Sequence, residues 1–357
     1  MIVIILPLIT AFIASVLTTP ISIIVSKKFG IFDDPKRHKH PAMIHKKPIP
    51  RGGGIPLFLG VLIAGAIFLP LNSTTQALFS AAFIALIVGI LDDRLDISPY
   101  LRFASNIVVA IIIVISGIDI AFITNPFGGI LHLDSINFSI AFIGIKTVIY
   151  FSQIATVIWL VWVMNMLNWS KGVDGQMPGI VAISAIAIGI LSLRFPSSDI
   201  NSLIASNLSF MIAGSSLGFL IFNYYPAKIF PGYGATSLYL LLGAVSVLSG
   251  AKIATAILVM GVPMVDGLFT VGRRIVSGKS PFWHDKKHLH HILLELGLDQ
   301  RRISLFYWLI SAILGALSLS LTSKGKYFAI IMLVVIVGGT LFFLHLILKL
   351  RNEKKPS

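Results

Sequence analysis

The chain has 357 residues, 56% of them hydrophobic and only 12% charged. Soluble domains are about a quarter charged, so a water-soluble protein is excluded and an integral membrane protein is indicated. A formal charge of +14 would suggest nucleic acid as the partner of a soluble protein, but the positive-inside rule accounts for it here. The absence of cysteine excludes disulfides and thiolate metal sites.

MIVIILPLITAFIASVLTTPISII opens the chain. No basic residue precedes its apolar run, and Lys27 and Lys28 follow it, so it reads as a first span and not as a cleaved leader. A helix crosses the hydrocarbon with about 20 apolar residues. By that measure the candidate spans lie near 2–26, 54–71, 76–91, 103–123, 147–167, 178–194, 203–222, 235–250, 252–270, 303–322 and 327–349, about eleven in all. The expected fold is all-α: one polytopic transmembrane domain over residues 1–350 and a basic tail, RNEKKPS, over 351–357. The segment 124–145, with Gly128-Gly129 and the alternating LHLDSINFSI, reads as a hairpin.

The loops after spans 1, 3, 5, 7 and 9, with the tail, hold most of the lysines and arginines. The opposite side keeps Lys146, Arg194, Lys252, Lys324 and Lys326. That asymmetry predicts a plasma-membrane protein with its N-terminus outside and those five loops and the C-terminus in the cytoplasm. The polar, glycine-rich and histidine-rich clusters fall in the same five loops. Carriers place polar groups at mid-membrane depth, so an enzyme working at the membrane surface is favoured.

The first loop, FDDPKRHKHPAMIHKKPIPRGGG, is explained in part as a basic topogenic segment. Topology does not explain Arg51 followed by three glycines, where close backbone approach and a guanidinium fork suit an anionic ligand. The second begins GILDDRLD. Adjacent Asp92 and Asp93 repel unless a cation or proton joins them, and such oxygen-rich pairs suit Mg²⁺; a solvated helix end partnered by Arg94 and Arg102 is the plainer alternative.

The third loop, NMLNWSKGVDGQMPG, puts Asn165 and Asn168 one helical turn apart on one face. Gly172, Gly175 and Gly179 allow a loop to fold back on a ligand, with Asp174 as an acceptor. A cap and turn explains any one of these residues but not all together. In the fourth, YYPAKIFPGYGATSLY, Thr236 and Ser237 suffice as caps. The fifth, VPMVDGLFTVGRRIVSGKSPFWHDKKHLHHILLELG, carries an anion-attracting patch of Arg273, Arg274, Lys279, Lys286 and Lys287. His288 and His291 share a face with His290 beside them. Zinc held by His284, His288 and His291 is a weaker alternative to phosphate binding. Asp266 is either a packing acid or a functional one.

Taken together, PIPRGGG, GILDDRLD, NMLNWSKGVDG, KIFPGYGATS and VPMVDGLF–RR–GKSPF–DKKHLHH resemble, nearly end to end, the polyprenyl-phosphate N-acetylhexosamine-1-phosphate transferases. The HLHH form is similar to the GlcNAc-type branch. The resemblance implies transfer of a sugar 1-phosphate from a UDP-sugar to a polyprenyl phosphate, with release of UMP and a requirement for Mg²⁺. It implies that Asp92 and Asp93 are the acidic pair, one of them deprotonating the lipid phosphate, and that Asn168 joins them as a metal ligand. It further implies that Gly172, Val173 and Asp174 form the nucleotide pocket, and that His288, His290 and His291 face the pyrophosphate or sugar. Dimers occur in the family.

Two positions depart from its pattern. Lys171 stands where N-x-x-N-x-x-D-G-x-D-G has its first aspartate, and Tyr233 stands where F-x-G-D-x-G-S has a metal-binding aspartate. Three outcomes follow: the metal is held by Asp92, Asp93 and Asn168 alone; Lys171 neutralises the diphosphate in its place; or the protein binds lipid phosphate or nucleotide without turnover. A divergent, active transferase is the expectation, with an inactive homologue and a lipid-linked flippase as the rivals.

Overall fold

The computed structural model describes residues 2–33, 47–125, 128–142, 145–195, 199–248, 253–283 and 285–353. Six helices are long and apolar enough to cross a membrane: α1 (Ile2–Phe29), α3 (Ser73–Leu95), α5 (Phe151–Trp169), α7 (Ile200–Asn223), α12 (Gln300–Ser320) and α13 (Ser323–Glu353). Four apolar helices are shorter: α2 (Gly54–Phe68), α4 (Pro99–Ile115), α6 (Gln176–Ser192) and α8 (Thr236–Val245).

The stretch expected as one span over 252–270 is two helices, α9 (Ile253–Val259) and α10 (Gly261–Val276), bent by 83°. Pro263 supplies a physical reason. It cannot donate to the carbonyl of Val259 and its ring clashes there, yet it fits the first turn of a new helix. The expected count of eleven therefore becomes, among the described residues, six helices of spanning length, or seven if the bent pair is one span, with four short ones.

An apolar run records burial in protein as readily as exposure to lipid, which is why the count shrinks. Every residue of α8 is buried, so its hydrophobicity reflects a position at the centre. The most apolar stretch of α13, by contrast, is only 11% buried, and its exposed Phe328, Val335 and Phe343 form the kind of surface that hydrocarbon covers. Between these extremes α1 lies along α7 and α2, α6 packs between α7 and α12, and α3 and α5 flank α8.

Apart from helices there are three small antiparallel pairs. β1 (Phe32–Asp33) pairs with β2 (Ile49–Pro50), bracketing the first loop. The hairpin expected over 124–145 is two: β3 (Phe122–Thr124) with β4 (Ile130–His132), and β5 (Asn137–Phe142) with β6 (Ile145–Tyr150). A further helix, α11 (Leu289–Glu295), is short and carries two of the histidines. Of the expected tail, residues 351–353 continue α13, and 354–357 lie outside the described residues.

Candidate active site

Backbone contact assembles the site first. A Cβ on Gly54 would overlap the backbone of Gly234 and Ala235, and one on Gly89 in α3 would overlap Tyr233 and Gly234. The triple glycine of the first loop therefore sits directly on the fourth loop, as expected from PIPRGGG. Gly53 N donates to Phe230 O at 3.0 Å and Phe230 N to Pro50 O at 2.7 Å. Gly232 turns the chain at φ +67°, where a side chain would also meet Arg51 O and the Asp93 carboxylate.

Asp93, 3% exposed at the end of α3, secures that arrangement. Its Oδ1 accepts from Tyr233 N at 2.7 Å and from Arg51 Nε at 3.1 Å, and its Oδ2 from Gly234 N at 3.2 Å. One carboxylate thus ties the first, second and fourth loops together. Arg51 lies 3.9 Å from Asp33 as well. Burial pulls its guanidinium pKa down, but Asp93 and then Asp33 more than offset this and hold it above its ordinary value.

Asp92, 1% exposed, is engaged differently. Its Oδ2 accepts from Arg102 of α4 at 3.2 Å, while its Oδ1 is buried with no hydrogen-bond partner. Buried acceptors are nearly always paired, so this oxygen marks where a ligand or proton would go.

Opposite the aspartates, Lys171 Nζ donates to Asn168 Oδ1 at 2.9 Å and to Gly232 O at 2.7 Å. Asn168 Nδ2 donates to Met164 O and to Thr236 Oγ1, each at 2.8 Å, so its amide is held from both sides. Tyr233 lies between cations: Arg102 Cζ is 5.5 Å and Lys171 Nζ 5.6 Å from its ring centroid. Its hydroxyl accepts from Asn106 Nδ2 at 3.0 Å. Burial draws the Lys171 ammonium down to about 7, with Asp93 opposing; an anionic ligand beside it acts in the same direction as Asp93.

The rest of the third loop reaches the fifth. A Cβ on Gly172 would overlap the ring of His290, so loop and imidazole are in direct apposition. Val173 is buried. Asp174, expected as a ligand acceptor, accepts from Ala227 N at 2.9 Å, its backbone N donates to Gln300 Oε1 at 3.1 Å, and its carbonyl accepts from Ser304 at 2.7 Å. It clips the third loop to the fourth and to α12. Asn165, half-buried, donates to Val161 O at 2.8 Å.

In the fifth loop Asp266 Oδ2 lies 2.8 Å from His288 Nδ1, and Oδ1 accepts from Leu289 N at 3.0 Å. A carboxylate on Nδ1 fixes ring orientation and tautomer. His288 stacks on His290 at 5.7 Å, and His290 lies 4.2 Å from His291. Burial first, then the neighbouring imidazoles, push His290 well below the usual histidine range. Burial with His288 and Lys286 brings His291 to about 4, so these rings are neutral near pH 7.

Arg273 and Arg274, expected as an anion patch, both pair with Asp285, at 3.0 and 3.2 Å, and Arg274 also donates to Pro281 O. Burial would raise Asp285, but the Arg274 hydrogen bond and the two guanidinium charges pull it down to about 2. Phe282 in the same loop packs edge-on against Tyr100 and Phe103 at the start of α4, closing the ring of five loops.

Sequence reasoning missed Asn106, which orients Tyr233, and Asp285. Asn106 carried a signal, a lone amide inside an apolar run; Asp285 carried none. His284 lies outside the described residues. Among those described, no group of three or more His, Cys, Asp or Glu can hold a metal ion, and the Asn168 oxygen implied as a ligand is occupied by Lys171. Set this way, the described residues offer a divalent ion fewer free oxygens than the resemblance implies.

The chain matches the family described as Glycosyl transferase family 4 over residues 75–250. It is 31% identical over 98% of its length, and 94% of the relative's, to a probable undecaprenyl-phosphate N-acetylglucosaminyl 1-phosphate transferase of Bacillus subtilis. It is 30% identical to the decaprenyl-phosphate N-acetylglucosaminephosphotransferase of Mycobacterium leprae, over 83% of this chain and 79% of that one. To the undecaprenyl-phosphate alpha-N-acetylglucosaminyl 1-phosphate transferase of Thermotoga maritima it is 27% identical, over 96% of this chain and 97% of the relative.

Proposed function

The chain belongs to glycosyl transferase family 4, and we propose from that premise that it transfers N-acetylglucosamine 1-phosphate from the UDP-sugar to a polyprenyl phosphate, releasing UMP. The observation that carries this reading is the unpartnered Asp92 Oδ1, buried among Arg51, Arg102 and Lys171 where the first, second, third and fourth loops meet. Arg51 and Arg102 are paired with Asp93 and Asp92, while Lys171 is held by the neutral oxygens of Asn168 and Gly232 and so is placed to receive a phosphate; preorganised charge is the largest usual source of phosphoryl-transfer catalysis.

In the reaction an oxygen of the lipid phosphate attacks the β-phosphorus of the UDP-sugar. A new P–O bond forms, the bond from that phosphorus to the bridging oxygen breaks, and the bridging oxygen leaves on UMP. Asp92 Oδ1 takes the proton of the attacking phosphate. Asp93 does not take part in the transfer; it holds Arg51 and the turn at Tyr233. Gly172, Val173 and Asp174 wall the nucleotide, while His288, set by Asp266, faces the sugar phosphate with His290 and His291. The charge bias of the loops supports a site at the cytoplasmic surface of the plasma membrane, where a soluble nucleotide sugar and a lipid phosphate meet.

The test is UMP release by the purified protein in detergent with undecaprenyl phosphate and a panel of UDP-N-acetylhexosamines. Asp92→Asn should abolish release and leave UDP-sugar binding intact. Silence of the wild type across the panel, with UDP-sugar bound, would support an inactive homologue instead.

A further inference from the structure

We propose that the Lys171 ammonium is the resident cation of this site, so that transfer proceeds without a divalent metal ion. The inference rests on the transferase reading above and specifies how that reaction is neutralised.

The donor set is the first argument. Mg²⁺ requires about six oxygens at about 2.0–2.1 Å in near-octahedral geometry. The oxygens that line the cluster are already committed. Asp93 accepts from two backbone N–H groups and Arg51. Asp92 Oδ2 accepts from Arg102. Asn168 Oδ1 and Gly232 O, the neutral oxygens facing the cluster, both accept from Lys171 Nζ. What remains unpartnered is Asp92 Oδ1, less than the one or two carboxylates that usually hold Mg²⁺ beside waters and substrate phosphates.

Charge is the second argument. Arg51, Arg102 and Lys171 face Asp92, Asp93 and Asp33, so a divalent ion would enter a cluster whose carboxylates are already matched by resident cations. A lysine in the same position supplies a point charge with three donors. Two of these donors go to Asn168 Oδ1 and Gly232 O, and the third can reach a phosphate oxygen. The bound phosphate, like Asp93, favours the protonated form of Lys171, and no electrons or protons are exchanged through it.

Tyr233 is the third. Its ring puts a negative quadrupole face against Lys171 and Arg102, offering partial negative charge without the oxygens that would bind a metal. Asn106 pins the hydroxyl and so fixes the ring. Lys171 and Tyr233 are therefore one device made of two residues: a cation and the aromatic face that seats it. This accounts for both departures from the family pattern at once.

The test uses the full chain in detergent, stripped of metal. UMP release from UDP-N-acetylglucosamine and undecaprenyl phosphate is followed in EDTA and in Mg²⁺, and Mn²⁺ binding is followed separately by electron paramagnetic resonance. The wild type should release UMP in EDTA within about twofold of its rate in Mg²⁺ and should leave micromolar Mn²⁺ free. Lys171→Met should lose at least about 100-fold in release, the usual cost of deleting a charge-stabilising donor. The double variant K171D/Y233D should gain a Mn²⁺ signal. Wild-type release that stops in EDTA and returns with Mg²⁺, or one tightly bound Mn²⁺ in the wild type, overturns the proposal. If no UDP-sugar is turned over under any condition, the transferase reading fails. The Mn²⁺ signals of wild type and double variant then still decide whether Lys171 holds the cation position.

Discussion

Two walls of the site meet at Gly172, and they treat charge in opposite ways. On one side Arg51, Arg102 and Lys171 face Asp92 and Asp93, and one carboxylate oxygen stays unpaired. On the other, Arg273 and Arg274 share the single carboxylate of Asp285, His288 is held by Asp266, and His290 and His291 are neutral near pH 7. The sequence offers both Arg51 with its glycines and the arginine pair of the fifth loop as anion-binding surfaces. In the folded molecule each of these arginines has a carboxylate partner, whereas Lys171 is held by neutral oxygens. A basic run therefore locates a loop, but only its partners decide whether the charge is available to a ligand.

The contrast is sharpest between neighbours in sequence. Asp92→Asn keeps shape and the Arg102 contact but removes the proton acceptor. Its UMP release should fall by about 10²–10⁴-fold, the usual contribution of general base catalysis, with its melting temperature near that of the wild type. Asp93→Ala should instead unfold the site. Removing one partner of a buried ion pair costs about 3–5 kcal/mol, and two N–H groups are orphaned as well. The check is a melting curve of each variant beside its UMP assay; equal melting temperatures would erase the division of labour.

Next in size is the junction itself. Gly172→Ala drives a methyl group into His290, so the third loop and the histidine wall must separate. Overpacking a tight contact costs about 1–3 kcal/mol. Here the strain falls on the ligand cleft, so KM for the UDP-sugar should rise more than kcat falls. Asp266→Asn is milder. It preserves the size of the side chain but loses its charge against His288, and kcat should fall about 10–100-fold, as for other partners that orient a histidine.

How much of this was legible beforehand depends on the range of the interaction. The glycines of PIPRGGG and Gly172 announced close approach, which the contacts with Gly234 and His290 show, because residue type alone carries that signal. The helix count overran since α8 is apolar for being buried in protein, and residue type does not tell protein from lipid as a neighbour. The sandwich of Arg102, Tyr233 and Lys171 joins three loops distant in sequence, and the Asp285 pairs depend on how one loop folds back on its own helix. Neither follows from spacing. Asp174, read as a ligand acceptor, spends its oxygen on Ala227 N, a bond that only the fourth loop's path reveals.

The smallest effect expected comes from the histidine wall. His291 is depressed to about 4 in the folded protein, chiefly by burial, against an ordinary value of about 6.5. Between those values the unfolded chain holds the proton more tightly than the folded one, so stability falls as pH drops from about 6.5 towards 4 and is flat above. His290 lies well below its ordinary value for the same reason and acts in the same direction. Melting temperature in detergent should therefore decline across that window, and His291→Gln should decline less steeply, because glutamine cannot take up the proton. Asp285, held near 2, contributes stability that is full above its ordinary range near 4 and lost only as pH falls through about 2. Loss between 6.5 and 4 in the wild type, reduced in the glutamine variant, would assign that step to the imidazoles. A step confined below pH 4 would assign it to the carboxylates and place the titrating weakness of the site on its aspartate side.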